Sequence, residues 1–103
     1  MSAETTPDKT GAATTVTEQP GRFTIEVEGR TVGLADYHDR EGRRVFPHTE
    51  VTPQYQGRGL ATILVAEALR STRAAGLRIV PICSMVADYI DKHAEYADIA
   101  DPV

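Results

Sequence analysis

The feature that most constrains this chain is a change of hydrophobic period just after residue 51. Upstream, Phe23, Ile25 and Val27 alternate with Thr24, Glu26 and Glu28. A strand turns successive side chains to opposite faces, so this alternation marks a half-buried strand. Downstream, Leu60, Ile63, Leu64, Ala68 and Leu69 recur at helical spacing, with Glu67, Arg70, Ser71 and Ala74 on the wetter face. One fold must therefore join a sheet built early in the chain to helices added late.

The period and the turn residues give an element order. Phe23–Val27 is a strand, Gly29-Arg30 a two-residue hairpin loop, and Thr31–His38 a second strand. Asp39–Gly42 turns the chain into a third strand, Arg43–Val51. Pro47 lies inside that strand and cannot donate a ladder hydrogen bond, so the strand is either unpaired there or bulged. A helix over 56–75 ends at Gly76, a good residue just past a helix C-terminus. A buried fourth strand spans 77–83, Ser84 caps a second helix reaching about His93, and a short turn follows over 95–100. The order β-β-β-α-β-α defines an α+β fold, an antiparallel three-strand meander followed by α-β-α. Residues 1–20 are polar and Thr-rich, and such a segment buries too little surface to offset its ordering entropy. They are expected to be a disordered tail, with the domain occupying 21–103.

Composition removes several classes. The length of 103 residues suits one domain. A net charge of −4 without clustered Lys and Arg argues against nucleic acid. No run approaches the roughly 20 apolar residues of a membrane span. Cys83 stands alone, which excludes an internal disulfide and a multi-thiolate zinc site. His38, His48 and His93 lack tight ligand spacing, so no metal is expected. With no apolar leader, the expected location is the cytoplasm.

The chemistry centres on Gln56-Gly57-Arg58-Gly59-Leu60-Ala61, between a strand and an amphipathic helix. The first turn of a helix carries backbone N–H groups without intrahelical partners and the positive end of the dipole. A pyrophosphate fits such a site. Glycines at 57 and 59 remove the Cβ atoms that would hold a phosphate off, and Arg58 and Thr62 offer further contacts. Two glycines before a helix also serve a tight strand-to-helix turn, so the motif alone leaves both uses open.

At this point the sequence resembles the GNAT superfamily of acetyl-CoA-dependent N-acetyltransferases. Gln56-x-x-Gly59-x-Ala61 matches the family signature. His48-Thr49-Glu50-Val51, Pro81-Ile82-Cys83 and His93-Ala94-Glu95-Tyr96 are similar to a small, roughly hundred-residue branch. The resemblance covers about residues 23–100. It implies a minimal GNAT-like fold, its sheet splayed around a cleft for CoA or acetyl-CoA. Val51 would bond the pantetheine arm through its backbone, and Gln56, Gly57, Arg58, Gly59, Leu60, Ala61 and Thr62 would hold the pyrophosphate. It also implies an amine acceptor, small molecule or protein, with the chain acting as a monomer or weak homodimer.

Two departures stand out. Only two residues separate the first two strands, where the full-sized enzymes of the family insert two helices that help form the acceptor site. Asp91 falls where the family places its proton-donating Tyr, and neither Tyr89 nor Tyr96 is in register. The catalytic candidates are therefore Cys83, His48 and Glu50. Cys83 reads either as a thiol beside the thioester or as a small buried hydrophobe. His48 and Glu50, on one face of the third strand, read either as general bases or as part of a polar outer face. A CoA-binding module without catalysis is the competing function.

Overall fold

The computed structural model describes residues 5–102. Its centre is one six-stranded sheet in sequence order: β1 (Thr5–Pro7), β2 (Ala13–Gln19), β3 (Arg22–Val27), β4 (Arg30–Arg40), β5 (Arg43–Val51) and β6 (Arg78–Val80). β1 to β5 pair antiparallel, whereas β6 pairs parallel to β5 across helix α1 (Leu60–Ala74). Helix α2 (Ser84–Lys92) and a 3₁₀ helix (Ala94–Ile99) complete the order.

The meander forms where alternation placed it, with the first loop shifted by one residue and the second shortened from Asp39–Gly42 to Glu41-Gly42. The β3–β4 loop is Glu28-Gly29 rather than Gly29-Arg30, with Val27 paired to Arg30. Both loop residues have positive φ, 53° and 79°, as a type I′ hairpin turn requires. Glu41-Gly42 repeats the device between β4 and β5.

The expected tail is corrected over Thr5–Gln19. β2 pairs with β3 from Thr14↔Val27 to Gln19↔Arg22, and β1 pairs with β2. The segment buries only Asp8, Thr14 and Val16 strongly, but the backbone groups of its strands are satisfied by neighbouring strands. Residues 1–4 lie outside the described residues.

α1 lies across one face and touches β2 to β6. Its buried residues Leu60, Leu64, Val65, Ala68, Leu69 and Thr72 form the helical stripe that meets Phe23, Ile25, Val27, Phe46 and Val51. Thr72 can be buried because its hydroxyl donates to the Ala68 carbonyl at 2.8 Å. The helix closes as expected at Gly76. The Gly76 and Leu77 amides donate to the Arg73 and Thr72 carbonyls at 3.0 and 3.1 Å, a Schellman cap. Its start moves from residue 56 to Leu60, because Pro53–Tyr55 forms a 3₁₀ turn and Gly57 and Gly59 take left-handed conformations. Ser84 is the first residue of α2 rather than its cap; Cys83 holds the cap position in an extended conformation.

The sheet opens between β5 and β6. They pair only at Arg43↔Arg78, Arg44↔Ile79 and Val45↔Val80. In that register the next partners would be Phe46 with Pro81 and Pro47 with Ile82, and each pair contains a residue without an N–H. The last tie is the Cys83 amide donating to the Phe46 carbonyl at 2.8 Å. On its other side β5 accommodates Pro47 in a bulge, with Phe46 and Pro47 opposite the single Tyr37 of β4. The short β6 is closed off by Ala100 and Asp101, whose carboxylate takes Arg43 at 2.6 Å and Arg78 at 2.5 Å.

Candidate functional site

Beyond Val45, β5 continues to Val51 with its β6 side unpaired. The Thr52 amide donates to the Val32 carbonyl on β4 at 2.7 Å. Because antiparallel ladders alternate, the main-chain groups of Val51 and Thr49 face away from β4, toward the opening. The Gln56 side chain reaches back to the Val51 carbonyl at 3.3 Å, tying the glycine turn to the open edge. Thr49 is buried, and among the described residues its hydroxyl has no hydrogen-bond partner.

The turn itself leads into α1. Gly57 has φ +82°, is exposed, and a Cβ placed there would meet nothing within 4 Å. Gly59 caps the helix at φ +81°, and the first helical bond runs from the Ile63 amide to the Gly59 carbonyl at 3.2 Å. The amides of Leu60, Ala61 and Thr62 thus have no intrahelical acceptor. Among the described residues no side chain caps them, and no acidic residue lies in the first turn. Leu60 is itself fully buried, so only its main chain can meet a ligand. Ala61 and Thr62 line a cavity of about 170 Å³ between α1 and α2, walled on the far side by Met85, Tyr89 and His93.

Arg58 is not the free cation its position suggested. Its Nε and Nη2 each lie 2.8 Å from Asp8 Oδ2, Nη2 donates to Thr10 Oγ1 at 3.3 Å, and the guanidinium stands 5.0 Å from the Tyr55 ring centre. Hydrogen bonding from the Thr10 hydroxyl, then from the Thr10 and Ala12 amides and Arg58, holds the Asp8 carboxyl down to about 2, against the upward push of burial. Asp8 and Lys9 were missed in the sequence because they lay in the segment read as a tail.

The three catalytic candidates separate. His48 and Glu50 are exposed on the sheet face away from α1, with Nε2 and Oε1 2.7 Å apart. Cys83 is half-buried and packs against the core. Among the described residues, no hydrogen bond joins its side chain to either of them. Tyr89 stacks on His93 at 3.8 Å and 9°, while the His93 Nδ1 lies 2.9 Å from the Tyr89 carbonyl. Burial raises the phenols of Tyr89 and Tyr96 above the ordinary value, so both stay protonated near neutrality. Among the described residues no cluster of ligating side chains could hold a metal, and no helix is long and apolar enough to cross a membrane.

A sheet opened on one side of β5, with uncapped helix amides and a glycine turn at the mouth, defines an α+β protein with a cleft at its sheet edge. Comparison with known proteins gives the family. A family described as GCN5-related N-acetyl-transferase matches residues 22–99, and the chain belongs to it. Two solved structures share the fold. A GCN5-like candidate N-acetyltransferase from Staphylococcus aureus, solved by NMR, aligns with TM-score 0.66 at 20% identity, over 85% of this chain and 88% of that one. A cAMP-binding acyltransferase from Mycobacterium smegmatis (E234A mutant) aligns with TM-score 0.63 at 11% identity, over 87% of this chain and 42% of that one. No curated protein sequence matches the chain.

Proposed function

We propose that this protein transfers an acetyl group from acetyl-CoA to an amine. The observation that carries the reading is the opening between β5 and β6 with the uncapped α1 amides at its mouth, in a chain of this family. Acetyl-CoA supplies an acyl group activated as a thioester. The main-chain groups of Thr49 and the Val51 amide, which face the opening, are suited to a pantetheine arm, as an added strand would be. The amides of Leu60, Ala61 and Thr62 are suited to the pyrophosphate. The orphaned Thr49 hydroxyl lies on the same unpaired stretch of β5 and offers a donor to an amide or acyl oxygen.

Transfer joins the amine nitrogen to the acyl carbon, breaks the carbon–sulfur bond, and moves one proton from nitrogen to sulfur. Orienting the two reactants supplies most of the acceleration. Glu50, exposed beside His48, is the group available to take the amine proton on the open face. Cys83 retains its alternative role as a thiol that receives the acetyl group first.

The competing reading, a CoA-binding module without catalysis, draws on one observation: Cys83 and the His48–Glu50 pair are not joined into a single constellation. Calorimetry with acetyl-CoA, followed by thiol release over a panel of amines and polyamines, separates the two. Binding with release supports the enzyme. Binding without release supports the module, and no heat with acetyl-CoA or CoA removes both. Mass spectrometry after incubation with acetyl-CoA and acid quench tests Cys83, with an acetyl adduct expected only for the covalent route.

A further inference from the structure

We propose that Lys9, on the β1–β2 turn, binds the pyrophosphate of the coenzyme, and that the Asp8–Arg58 ion pair is the strut that holds Lys9 in place. The inference rests on the coenzyme reading above and assigns the cation of that site to a segment outside the residues matched by the family.

Three observations carry it. First, the charge of Arg58 is already neutralised. The Asp8 side chain is fully buried and receives the Thr10 amide at 2.8 Å, the Thr10 hydroxyl at 2.7 Å and the Ala12 amide at 3.0 Å, besides Arg58. Moving the guanidinium to a ligand would leave a buried carboxylate unpaired, which costs more than an exposed contact returns. Second, Lys9 is tied to the coenzyme turn through its main chain, its amide donating to the Arg58 carbonyl at 2.9 Å. Its side chain runs over Gly59, with Cγ and Cε 3.4 Å from where a Cβ would stand. A Cβ at Gly59 would rest in ordinary contact with that stem, so the stem lies directly over the helix start, while the φ of +81° is what reserves the position for glycine. Third, no carboxylate within ion-pair distance of the Lys9 ammonium is found among the described residues, and the side chain is exposed. A cavity of about 260 Å³ lies between this turn and the helix start, lined by Pro7, Asp8, Lys9, Arg58, Gly59 and Thr62 among others. The un-neutralised cation thus shares one space with Gly59 at the helix start and with Thr62, one of the three residues whose amides lack an intrahelical acceptor.

The experiment is calorimetric titration of the full chain with CoA and with 3′-dephospho-CoA over a range of salt. It compares the wild type with Lys9→Met and Arg58→Gln. An exposed lysine can be replaced without loss of fold, and the thermal midpoint of Lys9→Met checks this. Lys9→Met is expected to weaken CoA about tenfold, as loss of one charge-assisted contact does, and to lower the salt dependence of the affinity. The same loss is expected with 3′-dephospho-CoA. Arg58→Gln is expected to weaken binding while keeping the wild-type salt dependence, because it loosens the turn without removing the charge that meets phosphate. Wild-type affinity and salt dependence in Lys9→Met would overturn the inference and leave the coenzyme reading standing. A loss confined to CoA would overturn the pyrophosphate assignment. A flattened salt dependence in Arg58→Gln alone would return the role to Arg58. If the wild type binds neither ligand, the coenzyme reading fails and this inference with it.

Discussion

Gly33 offers a test of the packing that sets β5 in place. It sits in β4 between Ile25 of β3 and Val51 of β5, and it has ordinary backbone geometry. On entropy alone, Gly→Ala at such a site stabilises by about 0.4–1 kcal/mol, because the unfolded chain loses freedom. The surroundings oppose that gain. A Cβ on residue 33 would stand 2.8 Å from Ile25 Cγ2, 3.1 Å from the Glu50 carbonyl oxygen and 3.3 Å from Val51 Cγ2. Ile25 is fully buried and the Glu50 oxygen belongs to the ladder, so neither can swing away. Overpacking of this kind costs about 1–3 kcal/mol, so the clash outweighs the entropy and the net expectation is destabilisation by about 0.5–2 kcal/mol. Urea unfolding measures it. Ile25→Leu moves the branch from the β to the γ carbon and removes the closest methyl. The double variant should therefore be more stable than the sum of the single effects predicts, by about 1 kcal/mol or more. Stabilisation by Gly33→Ala, or strict additivity in the pair, would refute the reasoning. Because the added methyl also presses on Val51, acetyl-CoA affinity should fall along with stability.

Three further outcomes follow from the site. Gly59→Glu places a like charge a few ångströms from the proposed phosphates, worth about 3 kcal/mol at intermediate dielectric, so calorimetry should show affinity falling roughly a hundredfold or more while circular dichroism still reports a folded domain. The Asp8 carboxyl is held below its ordinary value of 3.8, at about 2, so its contribution is present above pH 3.8 and is lost as pH falls toward 2. NMR titration of the Thr10 and Ala12 amides should show a midpoint near the lower value, and a midpoint near 3.8 would contradict the hydrogen bonding described. Thr49→Val removes a buried hydroxyl that lacks a partner, so the free domain should gain about 1 kcal/mol or stay level while acetyl transfer slows several-fold; a clear loss of stability would show that the hydroxyl is satisfied in the free protein.

What the sequence determined by itself was local. The alternation over Phe23–Val27, the glycine loops, the apolar stripe of α1 and the cap at Gly76 each follow from interactions within a few residues. The turn Gln56–Ala61 was legible for the same reason, since helix-end amides and glycine backbone freedom depend only on neighbours along the chain. Tertiary structure decided what depends on distant partners. Ala13–Gln19 looks too polar to fold, yet it becomes a strand because β3 supplies its ladder and Thr14 and Val16 a place against the core. Pro47 left two outcomes open, and the bulge opposite Tyr37 chose between them, while the register of β5 on β6 brought Pro47 and Pro81 to the point where the sheet opens. Arg58 looked like a free phosphate ligand until a carboxylate 50 positions earlier in the chain took its charge. Electrostatic pairing acts through space, and only the folded chain fixes which charges meet.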